Sequence, residues 1–235
     1  MYQHFFKRIL DIVCALLALI IFCWLYAIIA VLVRAKLGSP VLFKQIRPGK
    51  KDKRGQEKLF KLYKFRTMTD EKDAEGKLLP DEIRLTKFGA WLRSTSLDEL
   101  PEAINILKGD MSVIGPRPQL VRDMVFMTTE QRRRHNVRPG LSGLAQVRGR
   151  NAISWEDKLA TDLEYIENIT FIGDVKIVLQ TVGKFIKRED VVREGTVSDM
   201  DYGDVLLKEG KVSQEEYQNK QEEAKRLLDV RWRTK

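Results

Sequence analysis

Residues 12–33, IVCALLALIIFCWLYAIIAVLV, run for 22 positions without a charged side chain. As a helix this run would measure about 33 Å, against a hydrocarbon core of about 30 Å. It predicts a membrane-embedded helix. A secretory signal would carry a shorter apolar stretch and a small-x-small cleavage site, whereas here the chain continues Arg34-Ala35-Lys36. A buried core helix would ordinarily be shorter as well. Lys7 and Arg8 precede the run and Arg34 and Lys36 follow it, so the one-sided excess of positive charge that sets an orientation is missing. Either the helix spans, or it bends and returns to the face it entered, which makes both basic ends cytoplasmic and needs a break near the middle.

Beyond the run the pattern is mixed. Residues 58–68 (KLFKLYKFRTM) alternate enough for a strand or hairpin arm, and residues 69–81, with Gly76 and Pro80, read as an exposed loop. Helical periodicity covers 97–107, 119–127, 155–166 and 174–187. In the last, Val175, Val178, Leu179, Val182, Phe185 and Ile186 form one apolar side beside Lys176, Lys184, Lys187 and Arg188. That suits a helix lying in a membrane interface, or equally a core helix with a basic outer side. Ser213-x-x-Glu216 has the spacing of a capping box opening a polar helix to about Val230, an apparent appendage. The expected fold class is α+β, an embedded helix plus a mostly helical body with a short β-hairpin. The expected units are an anchor (1–36), a catalytic body (37–197) and a polar C-terminal helical extension (198–235).

Charge sharpens this. The 235 residues hold 42 basic and 33 acidic side chains, a net of +9, with 43% hydrophobic and 32% charged residues. That composition excludes collagenous, mucin-like and wholly disordered chains. Cys14 and Cys23 both lie in the apolar run, so no disulfide framework exists and a reducing setting is expected. The anchor nets +3 and the extension −1, which leaves +7 on the body. A basic body held at a membrane suits anionic headgroups or a phosphorylated substrate, unless its charge is merely solvated surface.

Three stretches could carry chemistry. Ser96-Leu97-Asp98-Glu99-Leu100-Pro101 fits a capping box with acids in a first helical turn. Adjacent helical positions diverge by about 100°, so Asp98 and Glu99 would divide roles rather than share one atom. Gly115-Pro116-Arg117-Pro118 holds Arg117 between two residues of fixed φ. Arg138-Pro139-Gly140-Leu141-Ser142-Gly143 and Gln146-Val147-Arg148-Gly149-Arg150-Asn151 pair arginines with glycines, whose N–H groups can turn toward an anion. Together they describe a pyrophosphate-sized site beside a carboxylate. His4 and His135 are too few and too far apart for a zinc site, and surface or interface roles are expected. Trp91 and Trp155 are expected to pack or to sit at the interface.

The chain resembles the small monotopic phosphoglycosyl transferases, bacterial sugar transferases that start glycan assembly on a polyprenol carrier. The likeness runs from Phe6-Lys7-Arg8 to about Glu194, through Lys7-Arg8-Ile9-Leu10-Asp11, Gln45-x-Arg47-Pro48-Gly49, Lys64-Phe65-Arg66-Thr67-Met68 and Arg93-Ser94-x-Ser96-Leu97-Asp98-Glu99-Leu100-Pro101. It continues through Lys108-Gly109-Asp110-Met111-Ser112-x-x-Gly115-Pro116-Arg117-Pro118, Arg138-Pro139-Gly140 and Gly149-Arg150-Asn151-Ala152-Ile153-Ser154-Trp155.

The resemblance implies transfer of a sugar 1-phosphate from a UDP-sugar to polyprenol (undecaprenyl) phosphate with release of UMP. Asp98 would be the nucleophile and a metal ligand, Glu99 its partner, and Mg²⁺ the cofactor. Lys64, Arg66, Arg93, Arg117, Arg138, Arg148 and Arg150 are the candidates for binding substrate phosphate, and Mg²⁺ itself suits a site of one or two carboxylates completed by substrate oxygens and water. The expected location is the cytoplasmic face of the bacterial inner membrane, in contact with its lipids. The family usually has Ser-Pro midway along the apolar run, where this chain has Cys23-Trp24. Matching basic ends favour return and the missing proline favours spanning; re-entry is the expectation. Two rivals stay open: a nucleotide-sugar glycosyltransferase using Asp199-x-Asp201 for its metal, and a membrane-tethered basic protein using Arg132-Arg133-Arg134 for nucleic acid.

Overall fold

The computed structural model describes residues 2–149, 153–187 and 200–230. The apolar run is two helices, α1 (Lys7–Ile21) and α2 (Cys23–Leu37), bent by 65°. The break is Phe22, at φ −100 and ψ 13, immediately before Cys23-Trp24, so the chain bends without proline. No single described helix is long and apolar enough to cross a membrane, though the bent pair together passes on length and composition.

Both ends of the pair pack on the same body. At the first end, Arg8 donates to the Ile106 and Leu107 carbonyls at 2.6 and 3.0 Å, and buried Asp11 accepts from Ser112 Oγ and the Val113 N–H, both at 2.9 Å. At the other, Ile29, Val33 and Leu37 pack with Phe65 and Leu92, and Tyr26 donates to the Leu100 carbonyl at 2.6 Å.

The strand expected at 58–68 is β2 (Glu57–Phe65), paired antiparallel with β1 (Leu42–Lys51). Two further pieces, β3 (Ser112–Ile114) and β4 (Gly140–Ser142), pair in parallel. The helix expected at 97–107 is divided into a 3₁₀ turn, Leu97–Glu99, and α4 (Glu102–Lys108), with Pro101, which has no N–H to continue a ladder, between them. An unforeseen helix, α3 (Lys87–Ser94), precedes the turn. The helix expected at 119–127 shrinks to Val121–Met124.

The remaining expected helices form, as α5 (Trp155–Glu167), α6 (Phe171–Lys187) and, after α7 (Tyr202–Lys208), α8 (Gln214–Val230). Ser213 Oγ accepts from the Glu216 N–H at 3.1 Å, as its spacing predicted. The two C-terminal helices share a core with the body: Tyr202, Leu206 and Ala224 pack with Val121, Met124, Phe126, Trp155 and Leu159.

α6 turns Asp174 and Ile177 inward and leaves Val175, Val178, Leu179 and Val182 exposed, Leu179 at 66%. With exposed Ile20, Ile21 and Trp24 these make an apolar exterior far beyond what scattered surface residues require. Lys7 and Tyr2 both bond Asp174 Oδ2, at 2.5 and 2.7 Å, tying α6 to α1.

Candidate active site

The turn between α3 and α4 sets the geometry. Ser96 takes left-handed backbone at φ 51 and ψ 16, a conformation that costs a non-glycine residue on the order of 1 kcal/mol. It makes no side-chain cap, and Glu99 turns toward Lys64 and Arg117, so residues 96–99 are not the capping box their spacing allowed.

Asp98 is buried, 7% exposed. Glu99 Oε1 accepts from Lys64 Nζ at 2.7 Å and from Arg117 Nη2 at 2.9 Å, and Lys64 Nζ also lies 3.3 Å from Oε1 of buried Glu102. Burial, with Glu99 adding repulsion, pushes the Asp98 carboxyl up to about 6 against the pull of Lys64, Arg93 and Arg117. Burial acts on Glu99 in the same direction, but Lys64 and Arg117 override it and hold Glu99 well below the usual carboxylate range. Glu102 is pushed up to about 7 by burial and then by Glu99. Arg117 is raised, chiefly by Glu99. The site thus holds an ionised Glu99 beside an Asp98 poised between its two forms.

Each cation is carried on stiff backbone. Lys64 projects from β2. Asn105 of α4, wholly buried, accepts from the Tyr63 N–H at 3.0 Å and donates to the Lys61 carbonyl at 2.7 Å, which pins α4 and Glu102 against that strand. Arg93 ends α3 and donates from Nε to Thr67 Oγ1 at 3.1 Å. α3 lies so close to this segment that a Cβ on Gly89 would fall 1.8 Å from the Thr67 carbonyl oxygen. The Arg117 loop is gripped twice, by Arg134 Nη2 on the Arg117 carbonyl at 2.6 Å and by Arg47 Nη1 on the Pro118 carbonyl at 3.1 Å.

Two cavities flank the turn. One, of about 680 Å³, is of mixed lining, with the arginines Arg47, Arg66, Arg93, Arg117 and Arg122 set among aspartates and apolar side chains. The second, of about 320 Å³, is mostly apolar; it runs from Glu99 past Leu100, Tyr26 and Ala18 to Val178 and Val182. It therefore connects the site with the helices that carry the apolar exterior.

The model of the bacterial sugar transferase family matches residues 2–188. The chain belongs to that family. It is 47% identical over 192 residues to the sugar transferase EpsL of Bacillus subtilis, covering 82% of this chain and 93% of EpsL. It is 39% identical over 194 residues to a UDP-glucose:undecaprenyl-phosphate glucose-1-phosphate transferase of Klebsiella pneumoniae, covering 76% of this chain and 40% of that protein. Over 190 residues it is 38% identical to a UDP-N-acetylgalactosamine-undecaprenyl-phosphate N-acetylgalactosaminephosphotransferase of Aeromonas hydrophila, covering 76% of this chain and 43% of the relative. It thus spans less than half the length of the latter two.

In this sugar transferase Lys64, Arg93 and Arg117 gather around Asp98 and Glu99, whereas other expected cations stand elsewhere. Arg66 edges the arginine-lined cavity but is braced by the Met68 and Ser39 carbonyls, at 2.8 and 3.0 Å, and by Asp70 at 2.7 Å. Arg138 bonds the Gly109 carbonyl at 2.8 Å and lines a separate small pocket with Arg8 and Asp11. Arg148 is exposed and paired with Glu164. Arg150 and Asp199 lie outside the described residues.

Gly140, one of the glycines expected to aim an N–H at an anion, has another task, which it shares with Gly115. Gly115 donates to Ser142, and Gly140 to Pro116, at 2.9 and 3.0 Å, and a Cβ on Gly140 would meet the Gly115 nitrogen at 2.1 Å. They let β3 and β4 approach. Nor does Arg132-Arg133-Arg134 form a nucleic-acid patch: the three pair with Glu57, with Glu130 and Glu167, and with Asp162 respectively. His135, expected at the surface, is buried against Glu57 and pushed down to about 4, chiefly by burial. Trp155 is buried and Trp91 exposed.

Three contributors escaped the sequence reading. Glu102 sits one helical step from Glu99, a spacing that could have found it. Arg47 stands in the Gln45-x-Arg47-Pro48-Gly49 block, its Nε buried without a hydrogen-bond partner. Asn105 carries no signal in sequence alone.

Proposed function

We propose that this sugar transferase moves a sugar 1-phosphate from a UDP-sugar to polyprenol (undecaprenyl) phosphate in two displacements. A carboxylate oxygen of Asp98 attacks the β-phosphorus. The bond from that phosphorus to the bridging oxygen breaks, and UMP leaves with the electron pair. A phosphate oxygen of the polyprenol carrier then attacks the same phosphorus, Asp98 departs as carboxylate, and a polyprenyl diphosphate sugar results.

The observation that carries this reading is a buried carboxylate flanked by residues of two cavities, one rich in charged side chains and one mostly apolar. Arg93 and Arg117 belong to the charged one and suit a nucleoside diphosphate; Glu99 and Ser96 belong to the apolar one and suit an isoprenoid tail. A carboxylate approaching a diphosphate meets repulsion unless cations neutralise the oxygens, so catalysis here is positioning and charge stabilisation. Lys64 and Arg117 hold Glu99 ionised, so Glu99 serves to orient Arg117 and Lys64 rather than to take up a proton.

The donor set suits Mg²⁺ only with substrate bound. Among the described residues no three ligating side chains cluster, but Mg²⁺ accepts one or two carboxylates completed by phosphate oxygens and water. Asp98 would hold it, and the ion would neutralise diphosphate charge.

The reading extends to topology. Arg8 and Leu37 mark opposite ends of the bent pair yet pack on one body, as a helix returning to its own face requires, whereas the ends of a span stand about 30 Å apart across the bilayer. The body then faces the cytoplasm at the bacterial inner membrane. A cysteine replacing Gln3, in a chain lacking Cys14 and Cys23, stays protected from a periplasmic thiol reagent if this holds and is labelled if the pair spans.

Incubating the purified chain with donor alone tests the chemistry. Release of UMP together with added hexose-phosphate mass on Asp98 is expected. An unmodified chain, or full turnover in Asp98→Asn, overturns it, and release of UDP instead indicates a glycosyltransferase.

A further inference from the structure

The arginine-lined cavity has one wall from outside the family match. Asp201 lines it from beyond residue 188, where the family model ends. Its carboxylate receives Arg122 at both oxygens, Nε to Oδ2 at 2.6 Å and Nη2 to Oδ1 at 3.1 Å. Both partners face the cavity, and both keep solvent access, with side chains 21% and 52% exposed.

The wall is fastened from behind. Asp123, buried and next to Arg122, accepts from the Tyr202 N–H at 3.0 Å with one oxygen and from the Leu120 N–H at 3.0 Å with the other. The Trp155 indole donates to the Met200 carbonyl at 3.0 Å and its ring packs, tilted by 31°, on Tyr202, centroids 5.1 Å apart. The segment that presents Arg117, Gln119 and Arg122 is thereby bolted to the C-terminal helices. Asp201 is a fixed part of the cavity, not an acid in a solvated loop.

Its chemistry differs from that of the arginines near Asp98. Arg93 and Arg117 bring net positive charge toward Asp98, which suits phosphate. A bidentate guanidinium–carboxylate pair is close to neutral overall. The carboxylate lone pairs that Arg122 leaves free accept hydrogen bonds, which the several hydroxyl groups of a sugar-nucleotide can supply. A phosphate oxygen there would be repelled.

We propose that Asp201, held by Arg122, accepts hydrogen bonds from the hydroxyl-bearing part of the sugar-nucleotide donor, so that the C-terminal extension is a donor-recognition wall of the active site. This rests on the transfer reaction proposed above. Ribose and the transferred sugar offer the same vicinal hydroxyl chemistry, and the experiment separates them.

The test measures UMP release by the full chain with UDP-glucose, UDP-galactose and their N-acetylamino counterparts, and inhibition by UMP. Wild type is compared with Asp201→Asn, Asp201→Glu and Tyr217→Phe. The last removes a 2.5 Å bond to Asp204 within the extension, away from the cavity. Hydrogen bonds to a charged group predict a fall in kcat/KM of about ten- to a hundredfold in Asp201→Asn, with partial recovery in Asp201→Glu.

Equal loss for every donor with weakened UMP inhibition marks ribose; unequal loss with unchanged UMP inhibition marks the sugar. Either supports the inference. It is overturned if Asp201→Asn stays within twofold of wild type for all donors and for UMP, or if Tyr217→Phe reproduces the loss, which would make the role structural. A wild-type chain releasing UMP from none of these donors would instead defeat the transfer reaction itself, and the inference with it.

Discussion

Among the described residues, two of the buried charged clusters follow opposite rules. Around Arg134 charges match one to one: Nε and Nη2 both donate to Asp162 Oδ2, at 2.9 and 2.6 Å, and nearby Arg132 pairs with Glu57. Around Asp98 the cations are shared, with Lys64 serving both Glu99 and Glu102, and two of three carboxyls are pushed above their ordinary range. The first cluster is built to stay as it is. In the reaction proposed above, the second is completed by substrate phosphate and a cation. They are also coupled, because Nη2 of Arg134 holds the Arg117 carbonyl, so the settled cluster braces an arm of the unsettled one.

The sharpest break of this contrast is Asp98→Asn. If Asp98 is the nucleophile, as proposed, turnover should fall by at least about a thousandfold, measured as UMP release. The same change should stabilise the fold at neutral pH. Asp98 has its folded pKa at about 6, above the ordinary 3.8, so the folded chain loses stability as pH rises through that window and carries the cost above it. Removing the charge returns on the order of 2 kcal/mol, seen as a higher Tm at pH 7.5 and little change near pH 4. Wild-type activity, needing the ionised form, falls as pH drops below about 6. A variant that loses activity and stability together would erase the distinction between the clusters.

Glu99→Gln comes next. It keeps the shape but frees Arg117 and Lys64 from their anionic partner, and about a hundredfold loss in kcat is expected, with donor KM changed far less. A KM effect alone would make Glu99 a binding residue only.

The other cluster answers to stability. Arg134→Met leaves Asp162 buried without its partner and should cost about 3–5 kcal/mol in denaturant unfolding. The double change Arg134→Met with Asp162→Leu should recover most of that, because apolar replacement of a whole buried pair is often close to neutral. Activity should recover less than stability, since the grip on the Arg117 carbonyl is still missing.

What could be read from the sequence divides along a physical line. α5, α6 and α8 were legible because each repeats its apolar positions at helical spacing, and Lys64, Asp98, Glu99 and Arg117 because they stand in blocks of recognisable order. The bend at Phe22 lay one residue from the expected site although its expected cause, proline, is absent; the break rests on a backbone turn and on packing that no local residue announces. Residues 97–107 misled because a helical period continues through Pro101, which stops the hydrogen-bond ladder without disturbing the pattern of apolar positions. The glycines at 140 and 143 were legible as special but not as to purpose. Anion contact and close backbone packing both demand a missing Cβ, and only the strand pairing of 112–114 with 140–142 decides between them.

The smallest predicted effect is Arg148→Gln. An arginine beside a glycine is a natural phosphate ligand, yet here its guanidinium meets Glu164 across exposed surface, outside the residues that line either cavity. Exposed pairs contribute little, so stability should move by less than about 0.5 kcal/mol and turnover by less than about twofold. A tenfold rise in donor KM would mean that Arg148 leaves Glu164 when the diphosphate arrives. The boundary between settled and unsettled charge would then run through the surface as well as the core, and the cavity would close over its donor with help from α5.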